Sequence, residues 1–302
     1  MKFKNEIKQW YEMVSNTCGS FLFYEKFGFK FLYKYLRMRY LLTNKLTMPF
    51  LEYRVTTKCT LQCRECNHLM PYYSEEAHVK PVSFSDFKQD IDKFLKGVDL
   101  IYYFQFVGGE TLLVKDLPEM IEYASGKNQL QHIVVITNGT LLPSKKLISA
   151  MKKVKRLHVT ISNYKGNKDL AEKLKTDELT KILKENNIRY FLHPEDTVWT
   201  KSQVLTETYK KDPDIAKENY NRCGLKTCHN ICCGKFHLCS MSVFLQRNKP
   251  DFEFEQDEII EIRNGNTLSK NLFRFFDKSY YNFCSHCDFS RTNEFIMPAQ
   301  QL

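Results

Sequence analysis

The sequence lacks any run of about 18 uncharged apolar residues, so no part of it is expected to cross a membrane as a helix. Its opening residues, MKFKNEIKQW, carry no apolar stretch of the kind a secretory signal needs, and secretion is not expected. No internal repeat and no low-complexity tract is visible. Hydrophobic residues make up 43% and charged residues 26% of the 302, which is the balance of a globular chain with one large domain or two modest ones. What is abundant is cysteine. Eleven cysteines in a chain expected to be cytoplasmic argue for metal or redox work rather than a disulfide framework. The formal net charge of +10 is compatible with nucleic acid, anionic lipid or phosphorylated partners, and equally with plain solubility.

Residues 1–48 combine aromatic and basic side chains. Lys26, Lys30 and Lys34 recur at every fourth position, beside Phe27, Phe31 and Tyr35 on the same step. This spacing predicts a helix with a basic face next to an aromatic one, packed on the main domain or docked on an anionic membrane surface or a protein partner. From residue 49 strands and helices alternate. PFLEYRVTT, DLIYYFQFVGGE, QHIVVITNGT, RLHVTISNY and IRYFLHP read as strands. SFSDFKQDIDKFLKGV, LPEMIEYASG, a helix opening with Pro143, and KDLAEKLKTDELTKILKENN read as helices between and after them. Five such units predict an α/β fold, a partial (β/α) barrel of parallel strands. After residue 200 the alternation stops and cysteines crowd, which predicts a smaller, metal-organised domain. The expected divisions are 1–48, 49–200 and 201–302.

The chemistry concentrates at the strand ends. Cys59, Cys63 and Cys66 follow the first strand as C-x3-C-x2-C. Three thiolates are one short of a closed zinc site or an ordinary iron–sulfur cluster, so this loop implies a metal centre with one position left open. Gly108, Gly109 and Glu110 follow the second strand, Asn138 the third, and Ser162 ends the fourth. In a parallel barrel these ends share one rim, where ligands bind.

On C-x3-C-x2-C after the first strand and Gly-Gly-Glu after the second, residues 49–195 resemble the radical SAM superfamily, which cleaves S-adenosylmethionine at a 4Fe–4S cluster. The resemblance implies that Cys59, Cys63 and Cys66 hold three irons and that S-adenosylmethionine chelates the fourth. It implies that Gly108 and Gly109 let backbone approach the methionyl amine, which Glu110 would accept, and that Asn138 and Ser162 suit the ribose hydroxyls or the carboxylate. Many members carry an aromatic residue before the third cysteine. Here Glu65 stands there, so backbone at Glu65 and Asn67 is left to meet the adenine. The implied chemistry is reductive cleavage to a 5′-deoxyadenosyl radical, fed by an external one-electron donor such as flavodoxin or ferredoxin.

Further on, Cys223, Gly234 and Cys239 form C-x10-G-x4-C, and Cys284 and Cys287 form C-x2-C. This looks like the twitch module, the short form of SPASM. It implies a second, auxiliary 4Fe–4S cluster on Cys223, Cys239, Cys284 and Cys287, with a zinc ion on the same four as the alternative. Cys228, Cys232 and Cys233 are spare thiols, substitute ligands or hydrogen donors.

Strand parity puts Glu52 with Arg54, His158 with Ser162, and Arg189 with His193 on common faces. If these point inward the barrel carries a polar lumen for a hydroxyl- or phosphate-rich substrate. His193 and Arg189 are then the catalytic candidates, with His193 accepting a proton. The expected function is hydrogen abstraction from a polar small molecule, a sugar or aminocyclitol, ending in dehydrogenation or epimerisation. Maturation of a ribosomally made peptide is the alternative, and nucleic acid is not an expected partner.

Overall fold

The computed structural model describes residues 30–200, 212–223, 225–263, 267–287 and 294–302. The chain forms two compact units, Met1–Leu46 and Thr47–Leu302. In the first, α1 spans Lys30–Thr43 and closes on Asn44, whose φ of 54° is left-handed and whose N–H reaches the Tyr40 carbonyl at 2.7 Å. Lys30 and Lys34 of the basic repeat fall within it, while Lys26 and Phe27 lie outside the described residues. No described helix is long and apolar enough to cross a membrane.

The second unit is built on an eight-stranded sheet in the order β5-β4-β3-β2-β1-β7-β8-β9. Its strands are β1 Thr47–Thr56, β2 Leu100–Gly108, β3 Leu130–Thr137, β4 Leu157–Ile161 and β5 Tyr190–Leu192, then β7 Asn230–Cys232, β8 Lys235–His237 and β9 Ile259–Glu261. β5 through β1 to β7 run parallel, and β8 and β9 add antiparallel. This is the expected α/β fold with a mostly parallel central sheet. A separate two-stranded ladder pairs β6, Trp199–Thr200, with β10, Phe295–Ile296.

The helices follow from their caps. The Ser83 hydroxyl accepts the Asp86 N–H at 3.1 Å and starts α2, Phe84–Phe94. α3 spans Leu117–Ser125. α4, Lys145–Lys153, starts from Ser144, which accepts the Leu147 N–H at 3.2 Å. Pro143 therefore precedes the helix rather than opening it, because a hydroxyl cap satisfies a free amide that proline cannot. The long helix expected from Lys168 to Asn187 is broken. Asn167 caps a single turn, Lys168–Leu170, the Lys175 N–H is drawn to the Gly139 carbonyl at 2.8 Å, and α5 begins only at Thr176 and ends at Glu185.

One face of the sheet is an aromatic core. Tyr53 meets Phe87 of α2 edge-on at 4.9 Å, Phe104 and Phe106 are fully buried beside them, and the Tyr53 hydroxyl donates to buried Asp90 at 3.0 Å. The opposite face is polar. Glu52 and Arg54 share it, as their parity predicts, and both reach Asn230 of β7.

The segment after residue 200 does not stand apart. Its first described helix, α6, spans Pro213–Arg222, with Asp212 capping it. β7 pairs with β1, Glu52 opposite Asn230 and Tyr53 opposite Ile231. β7 and β8 turn through Cys233 and Gly234, both left-handed with φ of 50° and 75°, the backbone a two-residue hairpin of primed type demands. α7, Ser240–Asn248, and α8, Leu268–Phe276, pack on this extension. The compact units meet at 46/47, and β7 to β9 share one sheet with β1 to β5.

The close approach of β2 to the cysteine loop explains its glycine pair. A Cβ on Gly109 would lie 2.2 Å from the Lys58 carbonyl oxygen and 2.8 Å from Cys59 Cβ, and one on Gly108 would lie 2.6 Å from the Thr56 oxygen. The Gly109 and Glu110 N–H groups donate to the Thr56 and Lys58 carbonyls at 3.0 and 2.9 Å. Gly109→Ala is expected to lose at least about 1–3 kcal/mol in urea unfolding through overpacking against backbone. Gly126→Ala, whose Cβ meets nothing nearer than 3.4 Å, is expected to stay within about 1 kcal/mol of the parent.

Candidate functional site

β1 delivers the cysteine loop. Its register with β2 slips between Arg54 and Thr56, a bulge that re-aims the chain just before Cys59. Segment 79–82 runs beside the exit, with Thr57 N–H donating to the Val79 carbonyl at 3.1 Å and Val82 N–H to the Val55 carbonyl at 2.9 Å. The three thiols sit close enough to raise one another's pKa. Burial is the larger cause, and it lifts Cys59 to about 11 and Cys63 to about 12. Cys66 rises for the same first reason.

Each of these sulfurs already faces N–H donors. Leu61 N–H and Asn138 Nδ2 point at Cys59 Sγ, each at 3.5 Å. Gln301 Nε2 points at Cys63 Sγ at 3.6 Å, and the amides of His68, Leu69 and Met70 lower the Cys66 thiol against its burial. Such donors solvate anionic sulfur, yet the pocket alone keeps the thiols neutral. A polycationic iron core resolves that conflict, so the donor set fits an iron–sulfur cluster. Among the described residues no three His, Cys, Asp or Glu side chains are gathered to hold a single metal ion. A lone zinc at about 2.3 Å from each sulfur needs closer thiols than a multi-iron cluster does.

The rim residues have specific partners. Glu110 is fully buried, and burial raises its pKa. Its carboxylate accepts from Leu112 N–H at 2.9 Å, the Thr137 hydroxyl at 2.9 Å and Asn138 N–H at 2.8 Å. It ties β2 to β3 and keeps only about one of its four acceptor positions for a ligand. Gly108 and Gly109 serve the cysteine loop rather than an open approach to ligand. Asn138 is committed to Cys59, to Thr60 Oγ1 at 3.0 Å and, as acceptor, to Thr140. Ser162 lies within hydrogen-bonding influence of the Tyr164 phenol. Glu65 is half-buried near Tyr72, and Asn67 is exposed.

His193 follows β5 at the rim end, half-buried, its N–H on the Ile161 carbonyl at 3.1 Å and its pKa lowered by burial. Arg189 is corrected. It precedes β5 at the opposite end of the sheet, exposed, and its guanidinium caps the Lys155 carbonyl. The shared parity was right, but about four residues at 3.3 Å each separate the two along the strand.

Sequence reasoning missed three contributors. Tyr164 packs on the cluster of Leu61, Cys63, Leu170 and Ala299 and meets Trp199 edge-on at 5.7 Å. Segment 298–302 crosses the cysteine loop: Arg64 N–H donates to the Gln300 carbonyl at 2.8 Å and Leu302 N–H to the Gln62 carbonyl at 2.9 Å. Asn167 holds that segment through the carbonyls of Pro298 and Ala299 at 3.1 and 3.2 Å. No motif announces any of them.

Beside β1 the four later cysteines converge. Cys223 feels Cys287 and Cys239, and Cys284 feels Cys239, Cys223 and Cys287. Burial is again the first cause of the raised pKa values of Cys223, Cys239 and Cys284. Cys239 caps α7 with the amides of Met241 and Ser242 at its sulfur. Asn219 of α6 binds the carbonyls of Cys284 and Cys287 at 2.8 and 2.7 Å.

Residues 53–188 match the sequence model of the radical SAM superfamily. This segment of the chain is similar to radical SAM domains. That likeness implies a 4Fe–4S cluster and S-adenosylmethionine, and Cys59, Cys63 and Cys66 are the residues that would hold them. Relatives include the GTP 3′,8-cyclase of Clostridium acetobutylicum, 32% identical over 155 residues, covering 50% of this chain and 43% of that protein. The 7,8-dihydro-6-hydroxymethylpterin dimethyltransferase of Methanocaldococcus jannaschii is 32% identical over 112 residues, 37% of this chain and 21% of its own. The chain spans less than half the length of these curated relatives. Among solved structures it is similar to BtrN in complex with AdoMet and 2-DOIA, at TM-score 0.49 and 12% identity over 85% of this chain and 100% of that one. Streptococcus suis SuiB bound to S-adenosylmethionine follows at TM-score 0.43 and 14% identity, over 78% and 68%.

Among the described residues three thiols, Cys228, Cys232 and Cys233, stand outside both groups. Cys232 is buried and donates to Cys233 Sγ at 3.8 Å. That bond first, then Arg247, brings exposed Cys233 down to about 7 against the cost of desolvation. Its alkylation by iodoacetamide is expected to rise through about pH 7, well below an ordinary thiol near 8.5, with Cys232→Ala moving the midpoint upward. Site-resolved mass spectrometry checks both.

Proposed function

We propose that the chain is a radical SAM enzyme with a second iron–sulfur cluster held entirely by protein, at Cys223, Cys239, Cys284 and Cys287, and that it oxidises or epimerises a polar small molecule. The observation that carries this reading is the convergence of those four thiols, with Cys284 buried and the other three partly so. Four thiolates close a cluster, leaving it suited to electron transfer rather than ligand binding.

The face for substrate is the polar one. Pairing aligns Glu52, Gln105, Val134 and His158 in one row across β1 to β4, and Thr160 and Ser162 follow along β4 toward the rim. Gln105, His158, Thr160, Ser162 and His193 are only half-buried. Hydroxyl-rich ligands suit such a wall, since each polar group there gains a partner. When bound, the cluster and S-adenosylmethionine supply a 5′-deoxyadenosyl radical that takes a hydrogen atom. His193, neutral because burial depresses its pKa, is positioned at the rim to accept a proton from an oxidised substrate hydroxyl.

The anaerobically reconstituted protein is expected to release 5′-deoxyadenosine with flavodoxin or ferredoxin as donor, and the Cys59→Ala, Cys63→Ala, Cys66→Ala variant is expected to release none. Iron analysis should give about eight irons per chain, falling to about four when Cys284 and Cys287 are replaced. Four irons in the parent would remove the second cluster. Deuterium transfer into 5′-deoxyadenosine from labelled aminocyclitols, sugars, peptides or GTP assigns the substrate class; transfer from peptide alone would overturn the small-molecule reading.

A further inference from the structure

The polar face of the sheet holds a guanidinium with no anion hydrogen-bonded to it. Arg54 is fully buried. Its Nη2 donates to Asn230 Oδ1 at 2.9 Å and Ser240 Oγ at 3.0 Å and meets His68 Nδ1 at 3.0 Å. All three partners are neutral. Nε and Nη1 of Arg54 have neither partner nor solvent. The nearest carboxyl, Glu52, bonds Asn230 Nδ2 at 2.6 Å instead, and desolvation lifts its pKa to about 7.

An arginine cannot escape this cost by losing its proton. An uncompensated buried charge costs several kcal/mol, so a counter-charge belongs here. Its direction is visible. His68, which meets Arg54, stands two residues beyond Cys66, and Cys59 and Cys66 both pack against the buried cluster that holds Tyr73. Tyr73, also buried, offers a hydroxyl with no partner and feels both Arg54 and Cys66. On the far side Ser240, which accepts from Arg54, follows Cys239 directly. One buried network, Arg54–Asn230–Glu52, thus touches both cysteine groups with opposite charges.

We propose that Arg54 is the counter-ion of the cluster at Cys59, Cys63 and Cys66, and that the Arg54–Asn230–Glu52 network sets its reduction potential. This rests on the radical SAM reading of that site and not on the second cluster. Reduction adds negative charge to a group that is already anionic. A fixed cation in a low-dielectric interior stabilises the reduced form, and a nearby carboxylate opposes it. Arg54 is in this sense a positioning and tuning residue.

The test is a redox titration of the reconstituted full chain followed by electron paramagnetic resonance in mildly alkaline buffer. Added S-adenosylmethionine identifies the open cluster by perturbing its signal. Arg54→Gln is expected to shift the reduction equilibrium at least tenfold toward the oxidised form, about 59 mV for one electron. Arg54→Lys should remain near the parent, and Glu52→Gln should shift the opposite way. A role in packing alone predicts no such reversal of sign. Unmoved potentials in fully loaded variants, or shifts of one sign in both, overturn the proposal. Should Arg54→Gln fail to load iron, Glu52→Gln decides, and an unchanged or lowered potential refutes the idea. A native protein with no S-adenosylmethionine-sensitive signal overturns the reading of the site itself.

Discussion

Three largely desolvated thiols in one short loop cannot all ionise without a cation among them. Desolvation holds Cys59 and Cys63 near 11 and 12, and each thiolate would raise its neighbours further. Much of the surrounding structure answers that constraint. The glycine pair lets β2 close on Lys58 and Cys59, Glu110 then fastens β2 to β3, and β3 presents Asn138 to the Cys59 sulfur. From a distant part of the chain, Gln301 does the same for Cys63. The Cys66 sulfur takes its donors from the backbone that turns into Met70–Tyr72. Hydrogen bonds to ligating sulfur are a main lever on cluster potential, and here each of the three sulfurs draws its donors from a different source.

The second thiol group is tied to the first through the sheet rather than through a flexible linker. β7 is hydrogen-bonded to β1, so Asn230 sits opposite Glu52 and the hairpin that leads to Cys239 inherits the register of the barrel. Register in a two-sided buried strand is strongly specified, because a slip of one residue would send Asn230 to the aromatic face. The relative placement of the two groups is therefore fixed by backbone pairing, the stiffest connection a protein offers between distant segments.

Much of this was legible in the sequence. Alternation of short apolar strands with capped helices gave the parallel sheet, and strand-end placement of Cys59, Gly108, Asn138 and Ser162 put them on one rim. Where sequence reasoning went astray the reason was local competition. Lys175 N–H found the Gly139 carbonyl and broke a helix that periodicity made continuous. Arg189 had the right face and the wrong end, since parity reports direction and carries no information on depth. The clamp by residues 298–302 was invisible because backbone carbonyls do most of its work, and any sequence has those. The roles of Gly108 and Gly109 were legible only as a need for close approach; which backbone approaches is a tertiary fact.

The two faces of the sheet divide the labour of stability and chemistry. Tyr53, Phe87, Phe104 and Phe106 form a close-packed aromatic layer between sheet and helices, and burial there at about 25 cal/mol per Å² is a principal source of folding free energy. The other face works against folding. It keeps Arg54 without a hydrogen-bonded anion, and His237 is buried with neither ring nitrogen partnered, its pKa pressed to about 3. Each orphaned buried group costs on the order of 1–3 kcal/mol. A chain selected for stability alone would fill these positions with leucine and valine. Their presence on β1 and β8 is accounted for if the cofactors supply missing partners, so that loading the protein and completing its interior are the same event.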